Sequence, residues 1–189
     1  VKPQQPYDVG VLGAAPSTIR RMRANALTCT PPAAPGVCTT AALSWHFGPC
    51  GDPVIYVHTT QIDTWLDIWQ HSDLKQRSRI KKAWRAMLPV FAKCTYRWQL
   101  VKGPIAATIS TLIDLQWVPV AAETWADHTH KQCHLDGAPY VRAQLIPAIR
   151  RRACQIAWQR AGKGLGLGTP LLQPAQRAQE WLRNHGHQQ

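Results

Sequence analysis

Gly103-Pro-Ile-Ala-Ala-Thr-Ile-Ser-Thr-Leu-Ile-Asp-Leu-Gln-Trp117-Val-Pro119 reads as one complete helix with its start and stop signals. Pro104 suits the first helical position, where its missing N–H is no loss, and Ile105, Ile109, Leu112 and Ile113 recur at helical spacing as one apolar stripe. Trp117 and Pro119 close it. The same reading extends in both directions. Ser17 is expected to cap a helix to about Leu27 that buries Ile19, Met22 and Ala26 and turns Arg20, Arg21 and Arg23 outward. A proline-rich loop follows to Val37, then a short helix from Thr39 to Phe47. After the breaker from Gly48 to Pro53, Val54, Val57, Ile62, Trp65, Leu66 and Trp69 mark a long helix buried on one side. Ser72 and Asp73 cap the next, whose stripe is Ile80, Trp84, Met87 and Leu88. Beyond Trp117 the chain is irregular through Gly137. A further helix spans Tyr140 to Ala161, interrupted near Pro147, and an amphipathic piece from Pro174 to Asn184 carries Ala178, Trp181 and Leu182.

No convincing alternating strand and no fixed-period repeat occurs, so the predicted fold is all-α, an irregular bundle of about six or seven helices with Gly/Pro-rich connections. Residues 1–15 read as a flexible arm or linker, 16–161 as the helical domain, and 162–189 as a Gly-rich hinge with a C-terminal helix and polar tail.

With 189 residues, 45% of them hydrophobic, the chain is long enough for a substantial core. The 22 basic residues against 10 acidic ones give a net charge of +12, which favours a polyanionic partner, nucleic acid first. No apolar run is long enough to span a bilayer, and the N-terminal stretch lacks a signal-peptide core. An intracellular protein without a membrane partner is expected, in cytoplasm or nucleus. Val1 in place of an initiator methionine fits an internal or processed fragment. Six cysteines show neither a disulfide framework nor a repeated CxxC and are expected to be free thiols. Nine tryptophans against two phenylalanines imply packing around large rings whose N–H groups need partners.

From Lys75 to Lys102 there are nine Lys/Arg and no acidic residue. An ordinary exposed helix interleaves both signs, whereas an all-cation surface is tolerated most readily when phosphates neutralise it; a plain solubilising face is the alternative. Counting about 100° per residue from Trp84 puts Lys75, Arg79 and Lys82 on the far side and Lys81 at the margin. These residues and Arg85 are candidate nucleic-acid contacts, as are Arg20, Arg21 and Arg23. A second cluster, Arg150-Arg151-Arg152, lies on a helix with the stripe Ile149, Ala153, Ile156 and Ala157. Arg151 and Trp158 share its outer side, where an exposed indole beside a guanidinium would form a platform for a base unless other chain covers Trp158.

Cys29, Cys38, His46 and Cys50 in the order C-x8-C-x7-H-x3-C, and the tract His128, His130, Cys133, His134, match no standard zinc finger, so no metal site is expected. The glycine run 162–168 lacks both a Gly-Lys-Ser/Thr ending and a preceding strand, and no cofactor is expected. Asp63 and Asp67 sit four apart on one helix with no nucleophile or histidine at a fixed spacing, as ordinary helix-surface aspartates do.

The order of motifs carries a resemblance. Val9-Gly10-Val11-Leu12-Gly13 precedes the segment Ser17 to Arg23. Gly51-Asp52-Pro53 leads into Trp65-Leu66-Asp67-Ile68-Trp69, followed by Trp84 and Arg97-Trp98. The Gly103 to Pro119 segment with Trp125 behind it, then Ile149 to Arg152 with Trp158, complete the order. Together this resembles the region downstream of the reverse-transcriptase palm in non-LTR (LINE-type) retroelement polyproteins of algal protists, over most of the chain. The adjacent aspartates that bind metal in such a palm occur nowhere in this sequence. The resemblance therefore implies a thumb-like or connecting region, not an enzyme by itself, whose parent polyprotein is an RNA-directed DNA polymerase. It implies RNA or DNA, and the palm of the same polyprotein, as partners. Two rivals stand beside it: a helical interaction or scaffolding module with a Trp-lined groove, and a decayed element copy without selected function.

Overall fold

The computed structural model describes residues 9–30, 38–136 and 140–164. Within them the fold is all-α apart from one small hairpin. The helices are α1 (Val9–Leu12), α2 (Pro16–Thr28), α3 (Thr39–Phe47), α4 (Pro53–His71), α5 (Leu74–Lys93), α6 (Pro104–Asp114) and α7 (Tyr140–Gly164), with a single 3₁₀ turn at Arg97–Leu100. The central pair is α4 and α6. The first packs against α1, α2, α6 and α7, while the second touches α4, α5 and α1.

Helices α4 and α5 each start from a local signal. Asp52 caps α4 by accepting the Val54 N–H at 3.0 Å, with Pro53 in the first turn. At α5 the Asp73 carboxylate takes the Gln76 N–H at 2.7 Å while the Gln76 side chain accepts the Asp73 N–H, a reciprocal capping box. Ser17 does not cap α2. The helix opens at Pro16, whose fixed φ sets the first turn, and Ala15 is the capping residue.

α6 shows more than the stripe its sequence predicts. Every residue from Ala106 to Leu112 is buried, including Thr108, Ser110 and Thr111, so the helix is enclosed on all sides. Small side chains let its neighbours approach, and Thr108 joins the core by accepting from Gln61 Nε2 at 2.9 Å while donating to the Pro104 carbonyl at 2.8 Å. Its C-terminus is a six-to-one closure: the Trp117 N–H reaches the Leu112 carbonyl at 2.8 Å and the Gln116 N–H reaches Ile113 at 2.9 Å, with Gln116 at φ 60°.

Residues 9–15 are not an arm. Val9 and Ala14 are buried and α1 lies on α4; a Cβ on Gly10 would come within 2.5 Å of the Thr64 hydroxyl. Gly13 has φ +63° and sits under the Trp98 ring, where a side chain would meet that ring at 2.8 Å. α7 runs unbroken through Pro147 to Gly164, because Arg142, Leu145, Ile149 and Ala153 hold it down on both sides of the proline. The rest of the expected hinge and the helix at Pro174 lie outside the described residues.

The irregular stretch after Trp117 contains the hairpin β1 (Thr124–Ala126) and β2 (Gln132–His134), paired antiparallel with Trp125 opposite Cys133. Three-residue strands are too short for alternation to register. Their turn is held by Asp127, whose Oδ1 accepts from the Thr129 N–H at 2.7 Å and the Lys131 N–H at 3.0 Å. Three indole N–H groups tie this region to the helices. Trp65 donates to the Ala122 carbonyl at 3.3 Å, Trp84 to the Pro119 carbonyl at 3.4 Å and Trp69 to Asp136 Oδ1 at 2.9 Å. The Trp65 and Trp84 rings meet at 5.3 Å, tilted by 46°.

Trp65 is fully buried, so Trp65→Ala should cost about 3–5 kcal/mol in urea unfolding. His58 gives a pH test. Burial pushes its pKa from 6.5 down to about 4, against an opposing pull from Asp114 and with a smaller push from Arg160. The unfolded chain therefore binds a proton that the folded chain refuses between these values, and stability is lost as pH falls through that window. Between pH 7.5 and pH 5 the wild type should lose about 2 kcal/mol more than His58→Gln does. Parallel pH dependences for the two proteins would contradict this.

Candidate nucleic-acid interface

The carboxylates decide which cations remain available. Of the chain's 10 acidic residues, Asp52, Asp63, Asp67, Asp114, Glu123 and Asp136 are each in an ion pair. Asp73 and Asp127 cap a helix and a turn. Asp8 and Glu180 lie outside the described residues. Each described carboxylate therefore has an internal task.

On α5 this splits the cationic helix lengthwise. The inner row is committed: Arg77 lies 5.0 Å above the centre of the Trp69 ring, pairs with Asp136 at 3.2 Å and donates to the Trp69 carbonyl at 3.1 Å. Lys81 sits 5.6 Å above the same ring and pairs with Glu123 at 2.6 Å. Beyond it, Lys75, Arg79, Lys82 and Arg85 are exposed and meet no carboxylate among the described residues. A shallow depression of about 650 Å³ lies between the rows, lined by Leu74, Arg77, Ser78, Lys81, Lys82, Arg85 and Asp136. Trp84 and Phe91, buried beneath, fix the helix's rotation and so keep the outer row outside.

The other candidates divide. Arg20 and Arg21 on α2 are exposed, as are Arg150 and Arg151 on α7. Arg23 is not available as a surface contact. It pairs with the buried Asp52 at 2.9 Å and donates to the Thr40 hydroxyl at 2.6 Å, joining α2 to α3 and to the start of α4. Arg152 also has to be corrected from an outward contact to a buried structural group. It is 6% exposed, donates through Nε to the Leu115 carbonyl at 3.0 Å, and bonds the side chains of Gln155 and Gln116. A guanidinium there satisfies the carbonyl end of α6 and complements its dipole. The angular count held the signal, since Arg152 falls about 60° from Ile149, inside the apolar stripe.

Trp158 is half-buried rather than outstanding, and among the described residues the cation–π pairs are those of Arg77 and Lys81 with Trp69. The exposed indole is instead Trp45, at 85%. It was legible: Trp45 lies about 200° from the buried Leu43 on α3. Trp65, Trp69, Trp84, Trp117 and Trp125 are buried, so these rings fill the core and line no groove.

Neither histidine-cysteine tract converges, and among the described residues no three His, Cys, Asp or Glu side chains are placed to share a metal ion. In β2, Cys133 turns inward while His134 is exposed and contacts the Thr124 hydroxyl, because adjacent strand residues face opposite ways. Burial pushes the Cys133 and Cys154 thiols up, away from the thiolate form. Asp63 and Asp67 clamp the Arg142 guanidinium, each at 2.6 Å, which links α4 to α7. No described helix is long and apolar enough to cross a membrane.

Arg152→Ala should lower stability by about 1.5–3 kcal/mol, the scale of a charge-assisted hydrogen bond, and leave the salt dependence of any polyanion binding unchanged. A reduced salt slope with an unchanged melting curve would return Arg152 to the surface. Comparison of the chain with protein-family models, with curated proteins and with solved structures finds no match.

Proposed function

We propose that α5 grips the phosphate backbone of RNA or DNA without reading its sequence, and that the chain serves as a thumb-like or connecting region beside a retroelement polymerase palm. The observation that carries this reading is the one-sided use of charge. The described carboxylates are spent on internal pairs and caps, and Lys75, Arg79, Lys82 and Arg85 remain as an outer row that meets no carboxylate among the described residues. Four like charges along one helix repel each other, and phosphates relieve that repulsion while releasing counterions. A grip of this kind needs cations on a rigid surface and no base-reading code. The polymerase setting rests on the resemblance in motif order, and the palm of the same polyprotein would be the protein partner. Arg150 and Arg151, on a different helix, offer a further contact for the same polyanion.

The test is salt dependence. For a DNA duplex, log affinity against log salt should lose slightly less than about one unit of slope for each phosphate-contacting cation removed. Lys75→Ala/Arg79→Ala/Lys82→Ala/Arg85→Ala should therefore flatten the slope by roughly 3–4 units, about equally for unrelated duplex sequences. Because all four side chains are exposed, the melting curve should hold. An unchanged slope, or no duplex binding at low salt, would defeat the proposal.

A further inference from the structure

We infer that the C-terminal turn of α3 is a second, single-strand-specific contact in which Trp45 stacks on an unpaired nucleic-acid base. The inference rests on the phosphate-binding reading of α5 for its polyanion, but uses different residues and a different physical interaction. Trp45 is 85% exposed, while each of the other described tryptophans is buried or half-buried. Beside it in the chain, His46 is exposed and Phe47 is 47% exposed, with their rings 6.5 Å apart. Trp45 projects from the last turn of α3 on the side away from the buried Leu43, where no described element covers it.

Charge selects the occupant. From Val9 to Gly51 there is no Asp or Glu, and α2, which packs on α3, presents Arg20 and Arg21 to solvent. A basic peptide would find no counter-charge there, whereas a strand supplies phosphates for the arginines and flat rings for the indole. The rings are carried on a fixed support. Arg23 ties α2 to Thr40 of α3 and to the buried Asp52 at the head of α4, and Leu43, fully buried, holds α3 from the opposite side. A duplex covers the faces of its bases with neighbouring pairs, so a projecting indole gains a stacking partner only where bases are unpaired. α5 by contrast presents its cations without an exposed aromatic ring, as backbone contact requires. The two faces thus divide the work, with α5 for phosphate and α3 for unpaired bases.

The experiment titrates the full chain with a labelled oligothymidylate and with a blunt DNA duplex of equal length, across a salt series. Its proteins are the wild type, Trp45→Ala, Trp45→Phe and the α5 quadruple variant. Trp45→Ala should weaken oligothymidylate binding by roughly 5- to 150-fold, the loss of one base–indole stack, with an unchanged salt slope and unchanged duplex affinity. Trp45→Phe should recover most of the loss, and both variants should melt with the wild type because the side chain is exposed. Equal weakening on strand and duplex, or no weakening on the strand, would overturn the inference while leaving the α5 reading to its own salt test. Strand binding that depends on Trp45 while the α5 variant behaves as wild type would support this site and sink the other. A loss of binding to anionic lipid vesicles in Trp45→Ala, with oligothymidylate affinity intact, would identify a membrane-facing ring and overturn the proposal.

Discussion

Three indole N–H groups hold the molecule in register. Trp65 and Trp69 on α4 and Trp84 on α5 bury their rings in the core and direct their single polar atoms at the Ala122 carbonyl, Asp136 and the Pro119 carbonyl. At Trp65 and Trp84 a phenylalanine would supply much of the apolar area but leave the buried Ala122 or Pro119 carbonyl without its donor, the more costly half of a broken hydrogen bond. A chain with nine tryptophans and two phenylalanines thus uses the indole as both filler and peg. The hairpin, too short to be stable in isolation, is kept in place by these pegs. The outer row of α5 depends on them in turn, since Trp84 sets the rotation of that helix.

Electrostatics follows from the same scaffold. Trp69 is the floor on which Arg77 and Lys81 lie, and the peg that brings Asp136 to it also brings Arg77 a counter-ion. Exposed pairs of this kind contribute about 0–1 kcal/mol each, so their main consequence is not stability. They fix which cations are neutralised. With Asp52 given to Arg23, Asp63 and Asp67 to Arg142, and Asp114 to Arg97, exposed cations among the described residues group on α2 (Arg20, Arg21), α5 (Lys75, Arg79, Lys82, Arg85) and α7 (Arg150, Arg151). Part of the net charge of +12 is thereby presented as defined faces on these helices.

Much of the helical layout was legible because each stripe recurs at the period of its own helix. Asp73 with Gln76 and Gly103 with Pro104 are local signals, and the structure opens α5 and α6 at them. The small hairpin was not legible, since three residues do not establish a period. A single turn such as α1 has no stripe, so the burial of Val9 is not legible locally; it comes from α4, which is distant in sequence.

For the candidate site, composition by itself determined that the chain is strongly basic and that Lys75 to Lys102 holds no acid, and helical geometry placed Lys75, Arg79 and Lys82 opposite Trp84. These are properties of one chain segment and its period. Which cation is spent and which is displayed is a property of pairs. Arg23 met Asp52 across 29 positions, Arg77 met Asp136 across 59, and Arg152 found the Leu115 carbonyl across 37. Likewise a helical wheel can turn Trp45 and Trp158 away from their own stripes, yet only the packing of other elements decided that Trp45 stays in water and Trp158 is half-covered. The sequence determines what each helix offers on each face; the tertiary structure decides which of those faces another part of the chain takes, because burial and ion pairing are contacts between segments that local periodicity does not encode.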